Sequence, residues 1–195
     1  MDLLTALLAC SLHPDQQLVH AIINTSSGGN PYFVGYVAAR PIVFEQPTAL
    51  PQAQAAFKVI VGENGKPSLG LMALPSNWAA TFNRRLEDLW DSCTNISVGT
   101  AKLADYDYQC RKERRTASST RRRGRPAAIR SPQNRVCILR RYAAEIGFPS
   151  TFVGMVMSEI NSAKNAASNP VREASPSPEA GWSEWTRPTT EPDMP

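Results

Sequence analysis

The sequence lacks any apolar run close to the roughly 20 residues that carry a helix across a bilayer, so no spanning helix is expected. Its four cysteines, Cys10, Cys93, Cys110 and Cys137, include no C-x-x-C pair, which argues against a structural zinc site. Two disulfides are open to them in an oxidising compartment, and spacing leaves the pairing undetermined. Histidine is nearly missing, with only His13 and His20. Acidic residues are nearly missing from one stretch alone. Residues 111–141 carry twelve Lys/Arg against the single acid Glu113, whereas residues 1–110 carry six against nine and residues 142–195 three against seven. The overall charge of +4 therefore averages a mildly acidic body and tail with one strongly basic segment. The chain of 195 residues, 42% of them apolar, has material for one core, while sixteen prolines mark part of it as unable to join that core.

What is present is mostly helical patterning. Leu3–Ala9 is apolar and suits a first helix ending near Cys10. Leu7-Leu8-Ala9-Cys10 also resembles a lipoprotein cleavage box, but Asp2 stands where a signal peptide carries positive charge, and the helix is the favoured reading. His13-Pro14-Asp15 opens a second helix, with Pro14 suited to its first position and Leu18, Val19, Ile22 and Ile23 forming its buried stripe. The run from Ser26 to Pro31 ends it. Tyr32–Val37 and Ile42–Phe44 read as the two strands of a small hairpin. Thr48 reads as the cap of a helix over Gln52–Val61, and Ser68–Met72 as a tight apolar turn. Further helices are expected near Asn77–Asn83, Leu86–Asp91 and Asn95–Tyr106, and a last pair over Val136–Ile146 and Thr151–Ala166. Trp78 and Trp90 fall at core positions of this pattern. From Ser168 onward Pro, Ser, Thr and Glu dominate, a composition that predicts a disordered tail. Trp182 and Trp185, as Trp-Ser-Glu-Trp inside that tail, suggest a short docking motif.

The order of the pieces resembles the specialised lytic transglycosylases encoded in VirB-type operons. Those pieces are a helix, Ser26-Ser27-Gly28-Gly29-Asn30-Pro31-Tyr32, a hairpin ending in Phe44-Glu45-Gln46-Pro47, a helix, Ser68-Leu69-Gly70-Leu71-Met72, and Cys93-Thr94-Asn95-Ile96. The likeness covers residues 1–110 and continues more faintly over 142–160, through Tyr142, Gly147 and Gly154-Met155-Val156. It implies a goose-lysozyme-like fold, mainly α (α+β) with a small β-hairpin. The domain would span residues 1–110, a basic flexible insert 111–135, and completing helices 136–167, ahead of a disordered tail over 168–195. The resemblance also implies peptidoglycan glycan strands as substrate, type IV secretion components as partners, no cofactor or metal, and a periplasmic or cell-envelope location in a Gram-negative bacterium. The family's reaction uses one carboxylic acid at the end of the second helix. That acid protonates the glycosidic oxygen, then takes the proton of the sugar's own 6-hydroxyl as it attacks the anomeric carbon. A 1,6-anhydro product results, without the second carboxylate of ordinary glycosidases.

Carried across residue by residue, the resemblance places that acid on Ser26. The family's glutamine and asparagine after the Gly-Leu turn fall on Ala73 and Pro75, and a late Tyr-x-Gly-Asn stretch keeps only Tyr142, followed by Ala143-Ala144-Glu145. Ser27, Ser68, Gly70, Leu71, Ala73 and Tyr142 then occupy the positions around the sugar. A serine hydroxyl is too weak an acid to replace a tuned carboxyl, and losing a positioned general acid removes about 10²–10⁴-fold in rate. Asp15 lies roughly 16 Å back along the helix, and Glu45 and Glu63 read as solvated loop charges. No nucleophile-elbow pattern surrounds Ser26. The expectation is a catalytically impaired relative that keeps a wall-binding or assembly role. Two rivals stand beside it. One is an active transglycosylase using a non-standard acid. The other is a nucleic-acid-binding protein acting through the basic insert, where Arg121-Arg122-Arg123-Gly124-Arg125-Pro126 resembles an AT-hook core. Charge alone would draw Arg121, Arg122, Arg123 and Arg125 to any polyanion.

Overall fold

The computed structural model describes residues 3–37, 44–118 and 131–168. Along them run α1 (Leu3–Cys10), α2 (Gln16–Ser27), β1 (Val34–Val37), α3 (Leu50–Gly62), β2 (Lys66–Leu69), β3 (Leu74–Pro75), α4 (Trp78–Thr81), a 3-10 turn (Leu86–Trp90), α5 (Ser92–Ser118), α6 (Pro132–Ile146) and α7 (Thr151–Ser168). The fold is mainly helical with one small antiparallel sheet, ordered β1-β2-β3. Helix α5 packs on α1 and α6, and α7 packs on α2 and α6.

Helix α2 forms because its ends are chemically closed and its stripe is apolar. The Asp15 carboxylate accepts the N–H of Leu18 (3.3 Å), and Gly28, at φ 62, donates its own N–H to Asn24 O (3.1 Å). Pro14 thus precedes the cap instead of opening the helix, because Asp15 takes the capping position. Leu18, Val19, Ile22 and Ile23 are all fully buried, and burial of such side chains stabilises by about 1.5–3 kcal/mol each. Leu71, Trp78 and Trp90 join the same core.

The sheet differs from the expected hairpin. Tyr32–Val37 does contain a strand, but β1 pairs with β2, Val34 opposite Leu69 and Val37 opposite Lys66. Ile42 and Val43 lie outside the described residues. Gly35 lets the two strands close, since a Cβ there would stand 2.7 Å from the Ser68 hydroxyl. Beside β1, the Gln46 amide behaves like a piece of backbone: Nε2 donates to Val34 O (3.1 Å) and Oε1 accepts from Val34 N (3.3 Å). Ser68 and Leu69 belong to β2, so the expected turn shifts to Gly70–Ala73. Thr48 does not cap α3. Its N–H and hydroxyl both bind Gln52 Oε1, and the helix starts at Leu50 with Pro51 in its first turn.

The largest departure concerns α5, which runs on to Ser118 where an end near Tyr106 and a flexible insert from 111 were expected. Several basic residues in and beside it have partners. Arg111 pairs with Asp107 one turn back (2.6 Å), Arg114 reaches the Ser131 hydroxyl (3.4 Å), and Arg141 of α6 bonds Gln109 and Glu113. Helix α6 likewise begins before 136, capped by Ser131 with Pro132 in its first turn, and ends on Gly147 at φ 87. Residues 119–130, with Arg121, Arg122, Arg123 and Arg125, lie outside the described residues, and so does the tail from Asn169.

Two disulfides close the helical layer: Cys10–Cys93 joins α1 to the start of α5, and Cys110–Cys137 joins α5 to α6. They indicate an oxidising, non-cytoplasmic compartment. Among the described residues no helix is long and apolar enough to cross a membrane.

Candidate functional site

The residues singled out by the resemblance converge on one turn. Gly70, at φ 74, leaves β2 and donates its N–H to Phe33 O (2.9 Å), and Ala73, at φ 48, closes the turn by donating to Gly70 O (2.9 Å). Glycine is required at 70. A Cβ there would sit 2.2 Å from Asn95 Nδ2 and 2.4 Å from Leu89 O. Around the turn, four other side chains take up its polar groups. Ser27 Oγ donates to Leu71 O (2.7 Å), and Ser26 Oγ lies 3.3 Å from the same oxygen but only 2.6 Å from Ile22 O in its own helix. The Tyr142 hydroxyl donates to Met72 O. Asn95 accepts from Met72 N (2.8 Å) and donates to Leu69 O (3.0 Å) and Leu89 O (2.6 Å).

Side chains from α2, α5 and α6 therefore hold one short loop at Leu69, Leu71 and Met72. Ser26, Ser27, Gly70, Leu71, Ala73 and Tyr142 are brought together, and Ser68 sits one residue before Leu69, opposite Gly35. Their meeting is interior. Ser26, Ser27, Ser68, Leu71, Ala73 and Tyr142 are all buried, and the three hydroxyls that reach the turn are spent on backbone carbonyls. In this arrangement they build the turn rather than present it to a sugar. Burial also pushes the Tyr142 phenol well above its usual range, so it is a fixed donor and not a proton shuttle.

The carboxylates are placed with equal definition. Asp15 is buried and bidentate with Arg135 (2.7 and 2.8 Å), which removes it from any catalytic role near Ser26. Glu45 and Glu63 are exposed. Glu145, noted in the sequence only as a departure from the family's stretch, proves the most elaborated. Its Oε1 accepts from Trp78 Nε1 (3.0 Å) and Lys102 Nζ (3.0 Å), and its Oε2 accepts from the Tyr106 hydroxyl. Partial burial pushes this carboxyl up, but the donors from Tyr106, Lys102 and Trp78 outweigh it and hold it below the ordinary range. These donors favour the ionised carboxylate, the opposite of what a general acid near neutrality needs. Lys102 completes the group by lying over the Trp78 and Tyr106 rings, 5.3 and 5.4 Å from their centres. Tyr142 stands edge-on to Trp78 (6.3 Å), linking this group to the turn. No sequence spacing joins Trp78, Lys102, Tyr106 and Glu145 in advance, since they come from three helices.

A third polar group surrounds His13, which is buried at 2% exposure. Its Nδ1 accepts from Asp15 N (3.1 Å), and its Nε2 has no partner among the described residues. Burial lowers its pKa below 6.5, against the pull of Asp107 and Asp15. Compared with known proteins, the chain matches no family model, no curated protein and no solved structure.

Proposed function

We propose that this protein is a catalytically silent relative of the VirB-type lytic transglycosylases, a lysozyme-like helical domain that serves as a peptidoglycan-associated accessory of a type IV secretion or conjugation apparatus in the Gram-negative periplasm. The reading is supported by the ordered motifs and by their convergence on the Gly70–Ala73 turn at the end of α2. One observation carries the loss of catalysis. Where the family places its acid, Ser26 gives its hydroxyl to the helix carbonyl of Ile22 (2.6 Å) and is buried. The most heavily hydrogen-bonded of the other carboxylates named above, Glu145, accepts from three donors that favour its ionised form.

The test is incubation of the oxidised protein with purified sacculi, followed by sedimentation and by mass spectrometry of the soluble fraction. Co-sedimentation without release of anhydro-muropeptides is expected. Failure to sediment with sacculi would remove the wall-binding role, and release well above a heat-denatured control would remove the silent one. Ser26→Glu is expected to restore little, because it would set a carboxylate among backbone carbonyls and Ala73 and Pro75 supply no amide.

A further inference from the structure

We propose that a hollow on the outer face of α6 is the docking site of the chain's own C-terminal segment around Trp182 and Trp185. The hollow has a volume of about 640 Å³, with Val136, Cys137 and Ala144 among its mostly apolar lining and Arg140 and Arg141 contributing to its wall. Arg141 is already held by Gln109 and Glu113, which fixes one guanidinium at the rim. Arg140 is exposed and makes no ion pair among the described residues. A hollow of this size is within the range that holds a small organic ligand, and its chemistry asks for flat apolar groups accompanied by negative charge.

The segment beyond α7 has that chemistry. Residues 169–195 carry five Asp/Glu against Arg172 and Arg187, and Trp182-Ser183-Glu184-Trp185 sets a carboxylate between two indoles. Indoles suit both the apolar lining and the faces of guanidinium groups, and Glu184 suits Arg140. A phosphate polymer would use the arginines but leave the apolar lining unmatched. Reach is not limiting. Helix α7 packs against α6 and ends at Ser168, and the 14 residues from there to Trp182 extend up to about 46 Å, twice the length of about 22 Å for the 15 residues of α6. Docked there, the tail neutralises the exposed basic face of α6. The inference does not depend on the glycan reading above.

Hydrogen exchange by mass spectrometry on the full oxidised chain tests it, together with a benzoyl-phenylalanine photocrosslinker introduced at position 182. Amides 180–187 are expected to exchange about tenfold more slowly in the wild type than in Arg140→Glu, with unchanged protection in the helices. Crosslinks should fall on residues 132–144 of the same chain. Val136→Asp should act in the same direction, and if it unfolds the chain, Arg140→Glu decides alone because that residue is exposed. Random-coil exchange of the tail in the wild type would overturn the proposal. So would protection indifferent to Arg140→Glu, or crosslinks that map elsewhere or join two copies.

Discussion

Replacing Asn95 with alanine tests whether the Gly70–Ala73 turn is held as described. Asn95 is fully buried, accepts one backbone N–H and donates to two backbone carbonyls, those of Leu69 and Leu89. Its truncation removes the side-chain partner of Met72 N, Leu69 O and Leu89 O. An unsatisfied buried group costs about 1–3 kcal/mol, so simple addition gives about 3–9. Water entering the vacated polar space recovers part of that, which sets the expectation at about 3–5 kcal/mol. Against a domain stability of about 5–15 kcal/mol, this is a large fraction of the whole. The measurement is urea denaturation of the oxidised protein followed by circular dichroism. Asn95→Asp should cost at least as much, since it points a second oxygen at two carbonyls. A loss below about 1 kcal/mol for Asn95→Ala would refute the account of the turn.

Three further outcomes follow from the buried groups and the disulfides. Arg135→Met should cost about 3–5 kcal/mol by leaving the Asp15 carboxylate buried without its cation, and adding Asp15→Asn, which keeps an oxygen for the Leu18 N–H, should restore much of it; no recovery in the double variant would reject the ion-pair account. Because the His13 pKa is lowered in the folded chain, its contribution to stability is complete above 6.5 and is lost as pH falls through the folded value. Urea midpoints on the acid side should therefore fall less steeply in His13→Gln, and parallel profiles would contradict the burial argument. Removing the Cys110–Cys137 bridge by paired serines should cost about 3.5 kcal/mol, and removing Cys10–Cys93 about 4.5, from loop separations of 27 and 83 residues. Equilibrium unfolding that ranks the two bridges in the opposite order would show that native-state effects dominate loop entropy.

Helices α2, α6 and α7 were legible from their apolar periodicity, but two terminal signals were passed over: Asp15, not Pro14, sets the start of α2, and Ser131-Pro132 opens α6 ahead of the expected Val136. The β1 partner was not legible, because a short strand does not specify which strand it meets, and the Gln46 amide occupies part of the place assigned to a neighbour. Helix α5 was underestimated for a different reason. A run of arginines reads as self-repelling chain until Asp107, Gln109, Glu113 and Ser131 are known to stand beside it. In the candidate site, the residues singled out in the sequence meet at one turn, but the sequence said nothing of their exposure. Ser26 and Tyr142 look like site residues in the chain and are interior hydrogen-bond donors in the fold. Glu145 acquires its three donors only from tertiary packing, which no local pattern encodes.

The two disulfides have a consequence for how the molecule is made. Four cysteines admit three pairings, and the one adopted joins the first to the second and the third to the fourth. The two covalent rings neither overlap nor nest in the chain, and the stretch of α5 between Cys93 and Cys110 links one to the other. A chain entering an oxidising compartment with its amino terminus first presents Cys10 and Cys93 before either later thiol. An oxidant that links cysteines in order of arrival makes both native bonds directly. Interleaved pairings would have to be undone by thiol exchange, so here the order of emergence and the correct connectivity coincide.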